Sequence, residues 1–548
     1  MSGLFTRNNK KDDQEDQHNN TAENGSTSNM ARDSAEHEPT ERDRLLPADP
    51  HRRPPHADGY LDPDDPAVSP YNLWTVRAVR YITIFFAYLT VVWWILLFVS
   101  IFVSPPGLHT RGSGFTDFSF TTLTLGVLLC SLLFFSAPSM AMRVCQGIIA
   151  VLLLVDMIII VSIARLRAEE GPPGIASVVW ATLMCMWCVT TDRIVASGKR
   201  EEEERLTGRA ETRRTLSGWL GVLLATVILV VYIVIAFFLT ATLIIRARDA
   251  SLTYDGNRYF VDDGKYKVHL ACVGNVTEDK NGNPYPTVLL EGGESALEYD
   301  FEYWVWSAIE NGTISRYCYW DRPGYGWSDN APSPHSAGMS AENLATALAL
   351  KGEEGPWILV SAGYGSLVSR IFSARNLRNV RGIMMIDPMH EDLLYRIGNP
   401  WIGLRRWGWG ILSPLGVQRV IGAVFKARTR EDRVYGEDAK YTGKYVKAKL
   451  QESLVATSLT KSEVATARTI ESPDTPLVVI SSGVRMANDE DWARKQSDLT
   501  KITDNLVSWD VVNKAPHEVW HTYDGRRIME KRLKELIKAA RKSKDVVE

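Results

Sequence analysis

The alternation of polar and apolar positions divides the chain into three stretches that call for different surroundings. Up to about residue 70, Asn, Asp, Glu, Arg, Ser and Pro dominate and large apolar side chains are scarce. Such a stretch cannot bury enough surface to offset its conformational entropy, so residues 1–76 are expected to form a disordered tail. Five apolar runs follow, at 81–103, 118–136, 146–164, 174–189 and 217–245. Crossing hydrocarbon takes about 20 helical residues, because the backbone must satisfy its own hydrogen bonds there. The first, third and fifth runs reach that length; the second and fourth are shorter and also fit re-entrant or tilted segments. The membrane region is accordingly read as 77–246, with about five helices.

From about Tyr254 the period shortens. Brief β-rich runs alternate with helical stretches, the pattern of an α/β sheet. YKVHLACVG, PTVLLEGG, SRYCYWD, WILVSAGYGS, RGIMMIDP, TPLVVISSG and SWDVVNKA read as strands, and EKRLKELIKAARK closes the chain as an amphipathic helix. The fold class is an α-helical transmembrane region followed by an α/β domain at 250–548.

Charge adds direction. A formal net charge of −3 gives no bias toward nucleic acid. Arg77 and Arg80 precede the first run, and Arg193, Lys199, Arg200, Arg205, Arg209, Arg213 and Arg214 separate the fourth from the fifth. The alternate loops hold only Arg111, Arg165 and Arg167. Cations gather on the cytosolic side of a membrane. The tail is thus expected in the cytosol and, after an odd number of spans, the C-terminal region in a lumen or outside the cell. No leader of charged, apolar and small-residue regions opens the chain, which leaves targeting to the spans. Asn275 and Asn311 head N-x-T sequons in the C-terminal region and fit glycosylation there. In ERDRLLP, Glu41 precedes Leu45 and Leu46 at the spacing of acidic dileucine sorting signals, which points to an endosomal or vacuolar membrane; a chance match in a polar tail fits equally. Asp156, within the third run, marks either a polar pathway or a packing contact. Four of the six cysteines lie in the runs; Cys272 and Cys318 remain for the C-terminal region, as a disulfide or as two buried thiols. No metal and no cofactor is expected.

The blocks VLLEGG, RYCYWDRPGYGWSD, GPWILVSAGYGSLVSRIF and GIMMIDPMHEDLL resemble, in order and spacing, the α/β-hydrolase superfamily over roughly 266–540, closest to its lipase- and esterase-like branch. The arrangement behind five spans is similar to uncharacterised multi-pass membrane proteins of fungi. The resemblance implies a mostly parallel, eight-stranded-type sheet with a helical cap at about 391–453. In the family's strand order the second and fourth strands are neighbours, which would bring Cys272 and Cys318 together; a disulfide closing a loop of about 45 residues would contribute roughly 3–4 kcal/mol. The cap holds Trp401, Arg405, Arg406, Trp407 and Trp409, which fit either a lid on the headgroup layer or packing over the pocket, the latter preferred. Asp321 and Arg322 of the DRPGYGWSD block are read as a charged pair fixing a loop beside the pocket.

Such folds mount a nucleophilic serine at the apex of a strand–turn–helix elbow, with small residues two positions to either side because backbone passes close to backbone. Here the flanking positions are Ser361 and Gly365, and the apex is Gly363. Glycine accepts the turn but has no atom with which to attack a carbonyl. By the same resemblance His517 takes the position of the base, with His521 as the alternative. Asp387 takes that of the acid, with Asp489 or Asp491 as alternatives, and Gly292, Gly293, Glu294 and Tyr364 the oxyanion-hole position. Ser361 and Ser366 are the nearest substitutes for the nucleophile; the first has Leu359 where a small residue is needed, and the second lies one turn into the helix. The expectation is a multi-pass membrane protein whose lumenal or extracellular hydrolase-like domain is catalytically degenerate and binds an acyl or ester-like ligand or a protein. The alternative is an active hydrolase of lipid or ester substrates, serine-type or water-activating. A third reading, in which the spans themselves act, has only Asp156 in its favour.

Overall fold

A computed structural model describes residues 70–544 apart from 109, 209–215, 279–281, 283 and 300. Nearly all of the tail, with Leu45 and Leu46, lies outside the described residues, as do Arg209, Arg213 and Arg214. Among the described residues, five helices are long and apolar enough to cross a membrane: α1 (Trp74–Phe102), α2 (Phe115–Leu133), α3 (Met140–Ser162), α4 (Ala164–Thr207) and α5 (Leu216–Asp249). Each apolar run of the sequence falls on one of them. Helix α1 starts at Trp74, inside the stretch read as tail, because helix propagation needs no apolar face once it has begun. Helix α4 is broken at Gly171, whose φ of 62° leaves the helical region just before Pro172 and Pro173. The break sets a short arm with Arg165, Glu169 and Glu170 apart from the span. Asp156 is fully buried in α3, and neither carboxylate oxygen has a hydrogen-bond partner among the described residues.

The C-terminal region is one eight-stranded sheet in the order β1-β2-β4-β3-β5-β6-β7-β8. Its strands are β1 (Asn257–Val261), β2 (Tyr266–Gly274), β3 (Thr287–Glu291), β4 (Arg316–Trp320), β5 (Trp357–Ala362), β6 (Val380–Ile386), β7 (Leu477–Ser482) and β8 (Leu506–Val512). Only the β1–β2 and β2–β4 pairings are antiparallel. The helices are α6 (Glu302–Glu310), α7 (Ala337–Lys351), α8 (Gly365–Arg375), α9 (Pro400–Leu412), α10 (Val417–Phe425), α11 (Arg430–Val434), α12 (Gly443–Val455), α13 (Lys461–Ile470), α14 (Gly483–Asn488), α15 (Glu490–Leu499) and α16 (Tyr523–Lys544). Helices α7, α8 and α13 cover one face of the sheet, through Leu344, Leu367 and Val464. Helices α6 and α16 cover the other, through Val305 and Leu533. Covered on both faces, the central strands are continuous apolar runs such as LVVISS, in which every residue is buried. This is the strand order and layering of an α/β-hydrolase fold. Cys272 and Cys318 are directly opposed on β2 and β4, with Cα atoms 4.0 Å apart, and form a disulfide.

Helices α9–α12 form a cap within the insertion between β6 and β7, and this cap rests on the membrane helices. Trp407 meets Phe98 of α1 edge to face at 5.7 Å. A side chain on Gly410 would collide with the Phe115 ring of α2. Trp401 and Trp409, read first as packing over the pocket, are instead 77% and 58% exposed, because Trp407 alone faces the helix ends. The expected Asp321–Arg322 pair also does not form. Asp321 instead holds His269 Nδ1 at 3.0 Å and accepts from the Trp327 N–H at 3.0 Å, while Arg322 turns toward Glu291.

Candidate functional site

The elbow follows β5. Gly363 has φ +47°, which a glycine adopts without strain, and α8 begins two residues later. Its N–H donates to the Ile386 carbonyl at 3.1 Å and its carbonyl accepts from Met389 N–H at 3.0 Å, so neighbouring loops pin the turn. A side chain on Gly365 would strike the Gly292 carbonyl oxygen, the close approach that demands a small residue there. A Cβ built on Gly363 would lie 3.0 Å from His517 Nε2 and 3.7 Å from Gly293 Cα. The apex thus faces an imidazole on one side and the β3 turn on the other.

His517 sits in the loop after β8, and its Nδ1 lies 2.6 Å from Asp387 Oδ2. The Asp387 carboxylate is fully buried and also accepts from the Ser482 N–H at 3.1 Å and the Trp492 indole N–H at 3.0 Å. An ionised carboxylate only accepts, so Nδ1 carries the proton and Nε2 is left as an acceptor aimed at the apex. Asp489 and Asp491 lie elsewhere. Asp489 pairs with Arg396 and caps α15; the hydrogen bond from Arg396 holds its carboxyl down at about 2. Asp491 pairs with Arg494. His521 lines the same cavity as His517, but it is His517 that bonds Asp387.

Neither substitute serine is placed to attack. Ser366 is fully buried, donates to the Gly363 carbonyl at 2.7 Å and accepts from Met389 N–H at 3.2 Å. Ser361 is fully buried in β5. Tyr364 is buried as well, under the cap, with Arg322 5.4 Å from its ring centroid, so only its backbone can face the apex.

The turn 292–294 is held from behind. The Arg322 guanidinium donates to Glu291 at 2.8 Å, to the Gly293 carbonyl at 2.5 Å and to the Gly292 carbonyl. Both ends of this pair are more than nine-tenths buried. Burial pushes the Glu291 carboxyl up to about 7 against the pull of Arg322. Glu294 anchors the turn to the cap through Lys449.

Over 505 residues the chain is 34% identical to an uncharacterized protein of Schizosaccharomyces pombe, an alignment that spans 86% of this chain and 92% of that one. The chain belongs to that protein's family. The chain is also similar to an uncharacterized vacuolar membrane protein of Saccharomyces cerevisiae, 29% identical over 325 residues, which are 51% of this chain and 50% of the relative. Residues 41–272 match a family described as a region of unknown function (DUF2417). The α/β region is similar to the solved structure of MGS-M2, an alpha/beta hydrolase enzyme from a Medee basin deep-sea metagenome library. The identity there is 13%, over 50% of this chain and 95% of that one, with a TM-score of 0.35.

Two features of this family member carry little mark in the sequence. The first is the Glu291–Arg322 pair, whose signal was a charge at the end of an apolar strand. The second is a cavity of about 320 Å³ that runs from His517 to α5, walled by Arg165, Arg246, Arg419 and Lys444. Of these cations only Arg165 figures in the sequence argument, as a charge in the loop between two spans.

Beside the same turn, Glu298 accepts from the Trp327 indole at 2.8 Å and the Tyr319 hydroxyl at 3.2 Å. Burial, and then the nearby Asp321 charge, push its carboxyl up to about 8. An unfolded glutamate titrates near ~4.3, so the folded form holds the extra proton: this stabilisation is present below that value and lost as pH rises through about 8. Glu298→Gln is expected to melt with the natural chain at pH 5 and above it at pH 9, as read by thermal unfolding in micelles.

Proposed function

We propose that this chain is an integral membrane protein whose α/β region binds a ligand at a silenced hydrolase site. One observation carries the reading: a base and acid in bonded array face an apex, Gly363, that bears no side chain. Without a nucleophile no acyl-enzyme forms. The vacuolar membrane is the proposed location, supported by the similarity to the vacuolar membrane protein of S. cerevisiae. The α/β region is proposed to face the lumen, supported by the cations at Arg77, Arg80, Arg193, Lys199, Arg200 and Arg205 at the opposite end of the spans and by the sequons at Asn275 and Asn311. Asn311 also donates to Glu530 at 2.8 Å from its amide nitrogen, a bond that a glycan there would have to replace. A fluorophosphonate probe tests the reading: the natural full chain is expected to take up none covalently.

A second reading rests on the same dyad. His517 Nε2, held as an acceptor by Asp387, could activate a water directly, which would make the chain an ester hydrolase with no covalent intermediate. Ester turnover that disappears in His517→Ala without any fluorophosphonate adduct would favour it.

A further inference from the structure

The cavity below His517 does not end inside the α/β region. Its floor is formed by Leu239 and Leu243 of α5 and by Leu166 of the α4 arm, all three buried. Leu239 and Leu243 belong to a helix whose other faces, at Val234, Phe237 and Ile244, are exposed as a membrane span requires. The α9–α10 corner is seated on that helix: the Thr242 hydroxyl donates to the Leu415 carbonyl at 3.0 Å, and a side chain on Gly416 would collide with Thr242. The floor therefore lies on the last turns of a candidate span, while the opposite end of the cavity is His517.

Between floor and histidine runs a cationic collar. Arg246 pairs with Glu169 and Glu170, and Arg433 takes Asp249 with contacts of 2.6 and 3.0 Å. Two cations are left short of charge. Arg419 is 5% exposed, reaches Asp249, which Arg433 already holds, only at 3.5 Å, shares the buried Asp438 charge with Arg428, and its Nε has no partner among the described residues. Lys444 donates to the Gly326 carbonyl at 3.4 Å and forms no ion pair within 4.0 Å among the described residues; the carboxylates that act on it, Glu169 first and then Asp329, are already paired with Arg165 and Arg246 and with Arg258. Burial pushes Arg419 down to about 10 and Lys444 down to about 8. Both remain mostly cationic at neutral pH, and both line the cavity. A buried cation without a full counter-charge is costly, and an incoming anion relieves that cost.

Resting on the silenced-site reading above, we infer that the cavity takes an anionic amphiphile from the adjacent bilayer leaflet, its apolar part on Leu166, Leu239 and Leu243 and its anionic group at Arg419 and Lys444. Its polar end then lies toward His517. A free inorganic anion would use the collar and leave the leucine floor unused; a neutral or zwitterionic amphiphile would use the floor and leave the collar uncompensated.

The test uses the full chain in phosphatidylcholine nanodiscs and a diazirine-bearing oleoyl lysophosphatidic acid as photolabel. Labelling is expected on peptides covering 239–250 and 417–433. Unlabelled lysophosphatidic acid should compete about ten-fold better than lysophosphatidylcholine of the same chain, the worth of one charge-assisted contact, and millimolar inorganic phosphate should not compete. Leu243→Trp, which fills the floor, and Arg419→Gln, which empties the collar, should each cut labelling about ten-fold. The competitor series needs neither variant, so misfolding of either leaves the test intact. Equal competition by the zwitterionic lipid, full displacement by phosphate, or labelling confined to the exposed faces of the spans overturns the inference. Deacylation of the bound probe would overturn the silenced reading while leaving the site in place.

Discussion

Gly363→Ser is expected to give a chain that labels covalently with a fluorophosphonate and turns over a short aryl ester on the order of 100-fold faster than the natural protein. The reason is positional. The Cβ would stand 3.0 Å from His517 Nε2, which Asp387 already holds as an acceptor, so a hydroxyl one bond further out needs only a retreat of the ring by a few tenths of an ångström. The turn itself is ready, since Gly365 and Ser361 leave room for the close backbone passage that elbows require. The substitution carries a cost, because serine at φ +47° pays the left-handed penalty of roughly 1–2 kcal/mol. A lower melting temperature together with new labelling is therefore the expected pair of results. A variant that folds and stays unlabelled would mean that the dyad no longer addresses the apex.

The largest loss of stability is expected at Arg322. Its guanidinium is 4% exposed and satisfies Glu291 and two carbonyls of the turn 292–294 at once. Arg322→Ala leaves an uncompensated buried carboxyl and two buried carbonyls, a loss of about 3–5 kcal/mol. For a domain of this size that is about 10 °C in melting temperature. Part of the penalty is relieved because burial already holds Glu291 at about 7, so it can take up a proton when its partner goes. Replacing both partners, as Glu291→Leu with Arg322→Met, is expected to recover the part of the loss that comes from the orphaned charge, while the Gly292 and Gly293 carbonyls and the Trp320 indole stay unpaired. If the double variant is as unstable as the single one, shape rather than charge balance sets the stability of this turn.

Much of the architecture is legible because it is local. The runs VLLE, WILVSA and LVVISS are continuous and apolar because helices cover both faces of those strands. The elbow is legible through the resemblance to α/β hydrolases, which sets Gly363 at the apex between Ser361 and Gly365. What stayed hidden depends on distant contacts. Strand β1, NRYFV, is short and half exposed at the sheet edge, so no clear period marks it. The choice among Asp387, Asp489 and Asp491 could not be made along the chain, because Asp387 lies 130 positions from His517. The extra helical turns of α4 beyond its apolar run are polar and read as loop, although the helix carries on to Thr207. Trp401 and Trp407 look alike in sequence, and only the docking of the cap on α1 decides which of them is half-buried and which is exposed.

The central claim is that an intact base and acid address an empty apex. It is tested most directly by ester turnover of the natural full chain measured beside His517→Ala under identical conditions. The account predicts indistinguishable, background rates for the two proteins. Turnover by the natural chain that is lost in His517→Ala would contradict it.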